Sequence, residues 1–197
     1  MKKLVSLTVC AWSALLFAPT VAYAFDTIGV EAGAKVGAGI PLDTEPNTIL
    51  GLGFGLGARA GITFFNVYAG VAGVYYFGQS KVLAGGTDTL HTLMLGVEGG
   101  YDFKLLPHFT LRPQLGLGDH EYYQSNSASL ASKSSSYFYI EPAIVALVPM
   151  GNFYLGADAG TRILPAGPAT TACEEGADAC HTFHIGLTLH VQAGVRF

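Results

Sequence analysis

Apolar and polar residues alternate with a period of two along most of the chain. In residues 27–39, Ile28, Val30, Ala32, Ala34, Val36 and Ala38 alternate with Gly29, Glu31, Gly33, Lys35, Gly37 and Gly39. Successive side chains of a strand point to opposite faces, so this pattern predicts a strand with one apolar face and one face of glycine and charge. The same grammar governs residues 50–62, where Leu50, Leu52, Phe54, Leu56, Ala58, Ala60 and Ile62 oppose glycines and Arg59. Residues 67–77 are apolar on both faces, which predicts a strand but leaves its orientation open. Residues 90–103 set Leu93, Leu95, Val97, Tyr101 and Phe103 against Thr92, Gly96, Glu98, Gly100 and Asp102. Residues 109–118 set Phe109, Leu111, Pro113, Leu115 and Leu117 against Thr110, Arg112, Gln114, Gly116 and Gly118. Three further segments follow the rule: 138–148, with Tyr139 and Glu141 on the minority face; 153–163, with Tyr154, Gly156, Asp158 and Arg162; and 183–197, with His184, Gly186, Thr188, His190, Gln192, Gly194 and Arg196.

Eight strands result, each long enough for the ~9–11 residues that a tilted membrane strand requires. Their connections alternate in kind. Residues 41–48, 78–89, 119–136 and 165–181 read as long polar loops, whereas 64–66, 104–108 and 149–152 read as short turns. Short turns at one end and long loops at the other are the asymmetry of an up-and-down antiparallel membrane barrel, with loops outside and turns in the periplasm.

A soluble lipid carrier of the lipocalin kind also has eight alternating strands, but it turns its apolar face inward. Here the polar face is largely glycine, a poor covering for a water-exposed wall. Glycine instead leaves room inside a narrow barrel for a few large charged side chains. Those charges balance: Glu31, Glu98, Asp102, Glu141 and Asp158 against Lys35, Arg59, Arg112, Arg162 and Arg196. The apolar face is therefore expected to face lipid, and these ten residues are expected to form a lumen charge network. Phe64, Phe65, Tyr101, Phe103, Phe109, Phe153 and Phe197 lie near the short turns or the C-terminus, where an interfacial girdle would sit.

Composition fits this reading. Half of the 197 residues are hydrophobic and only 12% are charged, about half the share usual in a soluble domain. Beyond the N-terminus no apolar run reaches the ~18 residues of a membrane helix. Residues 1–24 read as a signal peptide: Lys2 and Lys3, an apolar core from Leu4 to Phe17, and an Ala22-Tyr23-Ala24 cleavage site. The barrel domain then occupies residues 25–197. Loss of Lys2 and Lys3 takes the basic residues from 10 to 8 against 14 acidic ones, a net −6 that argues against nucleic acid as a partner.

The terminal strand, His184 through Val195-Arg196-Phe197, together with Val97-Glu-Gly-Gly-Tyr-Asp-Phe103 and Phe153-Tyr-Leu-Gly-Ala-Asp158, resembles the small outer-membrane β-barrel proteins of Gram-negative bacteria, the broad OmpA, OmpX and OmpW group. The resemblance spans residues 25–197. It implies residence in the cell outer membrane among its lipids, a monomeric barrel, and recognition of the chain by the barrel-assembly machinery through Phe197.

Some barrels of this kind modify lipid A, but no serine follows a histidine by two positions, and the serines of 125–136 form a low-complexity run. No catalytic site and no cofactor are expected. Glu174, Glu175, Asp178, His181 and His184 lack tight metal-ligand spacing and read as a solvated acidic loop. Cys173 and Cys180, the two cysteines left after signal cleavage, are expected to pair in the oxidising compartment. The expected role is structural or surface-interacting, with the lumen plugged by charge and the extracellular ligand not specified by the sequence. The alternative is a narrow channel for small solutes.

Overall fold

A computed structural model describes residues 28–42, 53–83, 86–126, 132–167 and 182–197. All its regular structure is β: β1 (Ile28–Pro41), β2 (Phe54–Phe64), β3 (Val67–Leu83), β4 (Gly86–Tyr101), β5 (Phe103–Leu106), β6 (Phe109–Asn126), β7 (Ser132–Met150), β8 (Phe153–Gly167) and β9 (Thr182–Arg196). Apart from β4 and β5, which do not pair with each other, strands adjacent in sequence pair antiparallel, and β1 pairs with β9. β4 also pairs with β6, so the sheet closes on itself and leaves no free edge.

β4 and β5 together form one barrel strand, giving eight around the circumference. The break falls at Asp102, whose amide donates to the carbonyl of Asn66 at 2.7 Å on the β3 side. Asn66 belongs to the turn between β2 and β3, in which Phe65 and Asn66 both have positive φ, 46° and 67°. Two left-handed central residues are the signature of a tight hairpin whose twist matches that of its strands. The turn from β7 to β8 likewise places Gly151 at φ 65°, where glycine carries no steric penalty.

Register fixes the barrel geometry. Directly opposed residues run from Lys35 through Gly57, Val74 and Met94 to His120 on β6. In the other direction they run through Gln192, Gly156 and Leu147 to Thr110 on β6. The two paths meet β6 ten residues apart, at His120 and Thr110, and this stagger is the shear that tilts the strands about the axis.

The structure corrects the expected limits of the long loops. Most of 78–89 is strand in β3 and β4, and β6 and β7 carry the ladder through Asn126 and from Ser132. Asp119 and Glu121 are therefore strand residues. The serine-rich run suggested a loop by composition, but its backbone pairs regardless of side chain, as in Ser125 opposite Ser132. The orientation of β3 is also settled: Tyr68, Val74 and Tyr76 point inward and are buried, while Val67, Val71 and Phe77 point outward.

The outer wall is apolar as expected. Val71 and Val97 are more than half exposed, and Leu95, Leu155, Val191 and Ile62 share that face. Aromatic side chains pair on the outer surface at both ends: Tyr101 with Phe103 near the short turns, and Phe54 and Tyr75 with Phe77 near the loops.

Candidate functional site

The inward positions make the candidate site, and strand alternation puts the expected charges there. Glu31, Lys35, Arg59, Glu98, Asp102, Arg112, Asp158 and Arg162 are all buried. Glu141 also points inward, and its Oε2 is enclosed without a hydrogen-bond partner. Arg196 keeps a quarter of its side chain exposed at the short-turn end.

At that end Arg112 is the hub. Its Nε donates to Asp102 at 2.5 Å, while Nη2 and Nη1 donate to the two carboxylate oxygens of Glu31 at 2.6 and 3.0 Å. Thr63 adds a hydroxyl donor to Glu31 at 3.0 Å. Arg196 approaches the same two acids less closely, 3.4 Å from Asp102 and 3.8 Å from Glu31. A planar guanidinium with its donors in a fixed fork suits two carboxylates at once, which a lysine ammonium could not reproduce.

One level up, the ring of Tyr68 lies between two guanidinium groups, 3.9 Å from that of Arg112 and 4.6 Å from that of Arg59. Arg59 donates to Tyr68, Gln192 and Gln114 at 3.0–3.2 Å and pairs with Glu98 at 3.2 Å. Lys35 links this level to the next, 3.8 Å from Glu98 and 3.2 Å from Asp158. Asp158 in turn holds His190 at 2.7 Å, and the far ring nitrogen of His190 lies 2.8 Å from the Tyr76 hydroxyl. The contacts therefore run without a break from Arg196 to Tyr76 along the barrel axis.

Toward the loops the lining changes character, which the sequence reading did not anticipate. Val74, Tyr76, Met94, Tyr122, Tyr139 and Leu164 form an apolar cluster inside the barrel. Arg162 stacks over Tyr76 at 5.7 Å and donates to the sulfur of Met94 at 2.7 Å. A second apolar group, Val145, Leu147 and Tyr154, lies lower down. Met94 and Leu164 have inward parity, so position carried the signal.

The Tyr76–His190–Asp158 chain has the order of a nucleophile, a base and an orienting acid. Tyr76 and His190 are nevertheless 0% and 5% exposed, enclosed by the barrel's own side chains. The contacts position side chains. Among the described residues no group of three or more His, Cys, Asp or Glu side chains could hold a metal ion. His184 is an inward, buried residue of β9. Glu174, Glu175, Asp178 and His181, with the expected Cys173–Cys180 pair and the signal segment, lie outside the described residues. Phe197 is exposed, and its backbone exchanges two hydrogen bonds with Val30, extending the seam between β1 and β9 to the last residue.

An eight-stranded closed barrel with an apolar outside and a charged inside matches known structures. Neisserial surface protein A superposes with a TM-score of 0.56 at 15% identity, covering 86% of this chain and 97% of that one. Ail, the attachment invasion locus protein of Yersinia pestis, solved in complex with the heparin analogue sucrose octasulfate, gives 0.53 at 16% over 86% and 97%. A major outer membrane protein of Thermus thermophilus gives 0.52 at 16% over 85% and 99%. The chain has the fold of the small outer-membrane β-barrels. No protein-family model matches the chain, and no curated protein matches it by sequence. A membrane barrel cannot leave an open sheet edge in lipid, and among the described residues the ladder is closed. The apolar wall of this barrel places it in the lipid of the outer membrane.

Proposed function

We propose that the protein is a non-catalytic outer-membrane barrel that is packed shut and acts through its extracellular end, as a structural and surface-interaction element. The observation that supports this most is the axial run of contacts from Arg196 to Tyr76, followed by the apolar cluster around Val74 and Leu164. An eight-stranded barrel has room for little beyond its own side chains, and here charge pairs and apolar groups fill it in succession. Purified protein in planar bilayers should show no steady conductance above the bare bilayer. Steady conductance from the unaltered barrel would overturn the reading.

One observation favours the second reading, a narrow channel. Thr92 Oγ1, Thr188 Oγ1, Arg162 Nε and Gln192 Nε2 are buried without a protein partner, and buried polar atoms are ordinarily satisfied by ordered water. Waters confined between seals would satisfy these atoms without conduction, and the same bilayer experiment separates the two.

The Yersinia protein was crystallised with a sulfated ligand. On this barrel the charged side chains at outward strand positions, among the described residues, are Asp119 and Glu121, both acidic. The surface partner proposed here is accordingly cationic. Cells displaying the barrel should adhere to polylysine-coated rather than heparin-coated beads, and preferential adhesion to heparin would overturn that choice.

A further inference from the structure

The periplasmic mouth of the barrel holds a cavity of about 550 Å³, and the lumen network ends at its wall in Arg196. Such a volume falls within the range of ligand pockets, ~300–1,000 Å³. Its wall has two kinds of chemistry. Lys104 and Arg196 supply positive charge, with the hydroxyl of Thr110 and the amide of Asn152 nearby. Ile28, Leu106, Pro107, Pro149 and Phe197 supply apolar surface.

The fold engages Arg196 only at long range and gives Lys104 no ion partner among the described residues. Arg196 is a distant second partner to two carboxylates that Arg112 already holds at shorter range, and a quarter of its side chain remains open to the cavity. Gly29 makes room for it, since a Cβ there would sit 3.1 Å from Arg196 Nε. Phe197 shares the rim, and its backbone exchanges two hydrogen bonds with Val30.

From the juxtaposition of two available cations with an apolar rim in one cavity, we propose that the periplasmic mouth binds an amphiphilic anion, a phosphate or carboxylate head carried on an apolar chain. The head meets Lys104 and Arg196 in charge-assisted hydrogen bonds, and the chain lies along Ile28, Leu106 and Phe197. The apolar chain separates this site from a simple anion trap.

The test uses the full mature barrel in nanodiscs of phosphatidylcholine, with hexyl phosphate as the probe and backbone amide signals as the readout. Saturable shifts are expected at Gly29, Thr110 and Asn152, with Tyr123 at the opposite end unmoved. Inorganic phosphate and hexanol, each carrying half of the chemistry, should bind more weakly than hexyl phosphate. Lys104→Gln should weaken binding about two- to fivefold, the range of a partly exposed ion pair. The Lys104 side chain holds no ion pair in the fold, so unchanged heat-modifiable migration of the variant separates loss of binding from loss of fold. Non-saturating shifts, equal binding of inorganic phosphate or hexanol, or an unaffected Lys104→Gln variant would each overturn the proposal. Repeating the titration in discs containing phosphatidylglycerol identifies the source: competition assigns the site to a leaflet headgroup, and its absence to a soluble amphiphile.

Discussion

Arg112 illustrates how much one inward residue carries. It is fully buried, bridges Glu31 and Asp102, and stacks on Tyr68, so its removal leaves two enclosed carboxylates with Arg196 at longer range and the Thr63 hydroxyl on Glu31. Breaking a buried pair by deleting one partner typically costs about 3–5 kcal/mol. Arg112→Ala should therefore lower the unfolding free energy in detergent by about that amount, measured by denaturant titration of the gel shift. Asp102→Ala alone should cost less, because Arg112 retains Glu31, and the double variant should cost less than the sum of the two. Additive losses would show that the pair is not coupled. Alternation in the sequence was enough to turn the charged residues inward. It could not name their partners, because Arg112 and Glu31 stand on β6 and β1, which are not neighbours, and meet only across the lumen.

Strands impose a second constraint, the closeness of their backbones. Gly118 on β6 lies opposite Gly96 on β4, and a Cβ at Gly118 would run into the carbonyl oxygen of Leu95 and the Cα of Gly96. Gly118→Val should reduce the folded fraction and cost about 1–3 kcal/mol, the range of overpacking in a filled interior. Gly151→Ala makes a useful contrast, since nothing lies within 4 Å of its Cβ and only the left-handed backbone, φ 65°, resists the change. It should cost about 1 kcal/mol and leave assembly intact. At the C-terminus, deletion of Phe197 removes both backbone hydrogen bonds to Val30, and outer-membrane levels of folded barrel should fall sharply on heat-modifiability gels. The sequence revealed the eight strands but misjudged their ends. Composition near residue 125 argued for a loop, whereas the ladder depends on backbone pairing that serine permits as well as valine.

At the scale of the molecule, the proposed closure of the lumen rests on two packed groups in series. Near the periplasm, guanidinium groups and carboxylates interlock around Tyr68; toward the outside, Tyr76, Met94, Tyr139 and Leu164 pack against one another. Balanced charges alone would let Arg112→Ala act in either of two ways, by destabilising the barrel or by opening a leak. With an apolar cluster above the network, that substitution should weaken the fold yet leave conductance at the baseline. Leu164→Ala alone should behave likewise, because the network beneath it remains paired. A path for ions requires both obstructions to loosen, so the combined Arg112→Ala, Leu164→Ala barrel should conduct more than either single variant, provided gel migration confirms that it is folded. Water already has reason to occupy the space between them, where Thr188 and Arg162 present polar atoms that no protein group satisfies. The increase in the double variant should therefore exceed the sum of the single effects, since opening one end of a hydrated compartment conducts nothing until the other end opens too. Conductance from Arg112→Ala alone would mean that the apolar cluster is no barrier, leaving the charge network as the only seal.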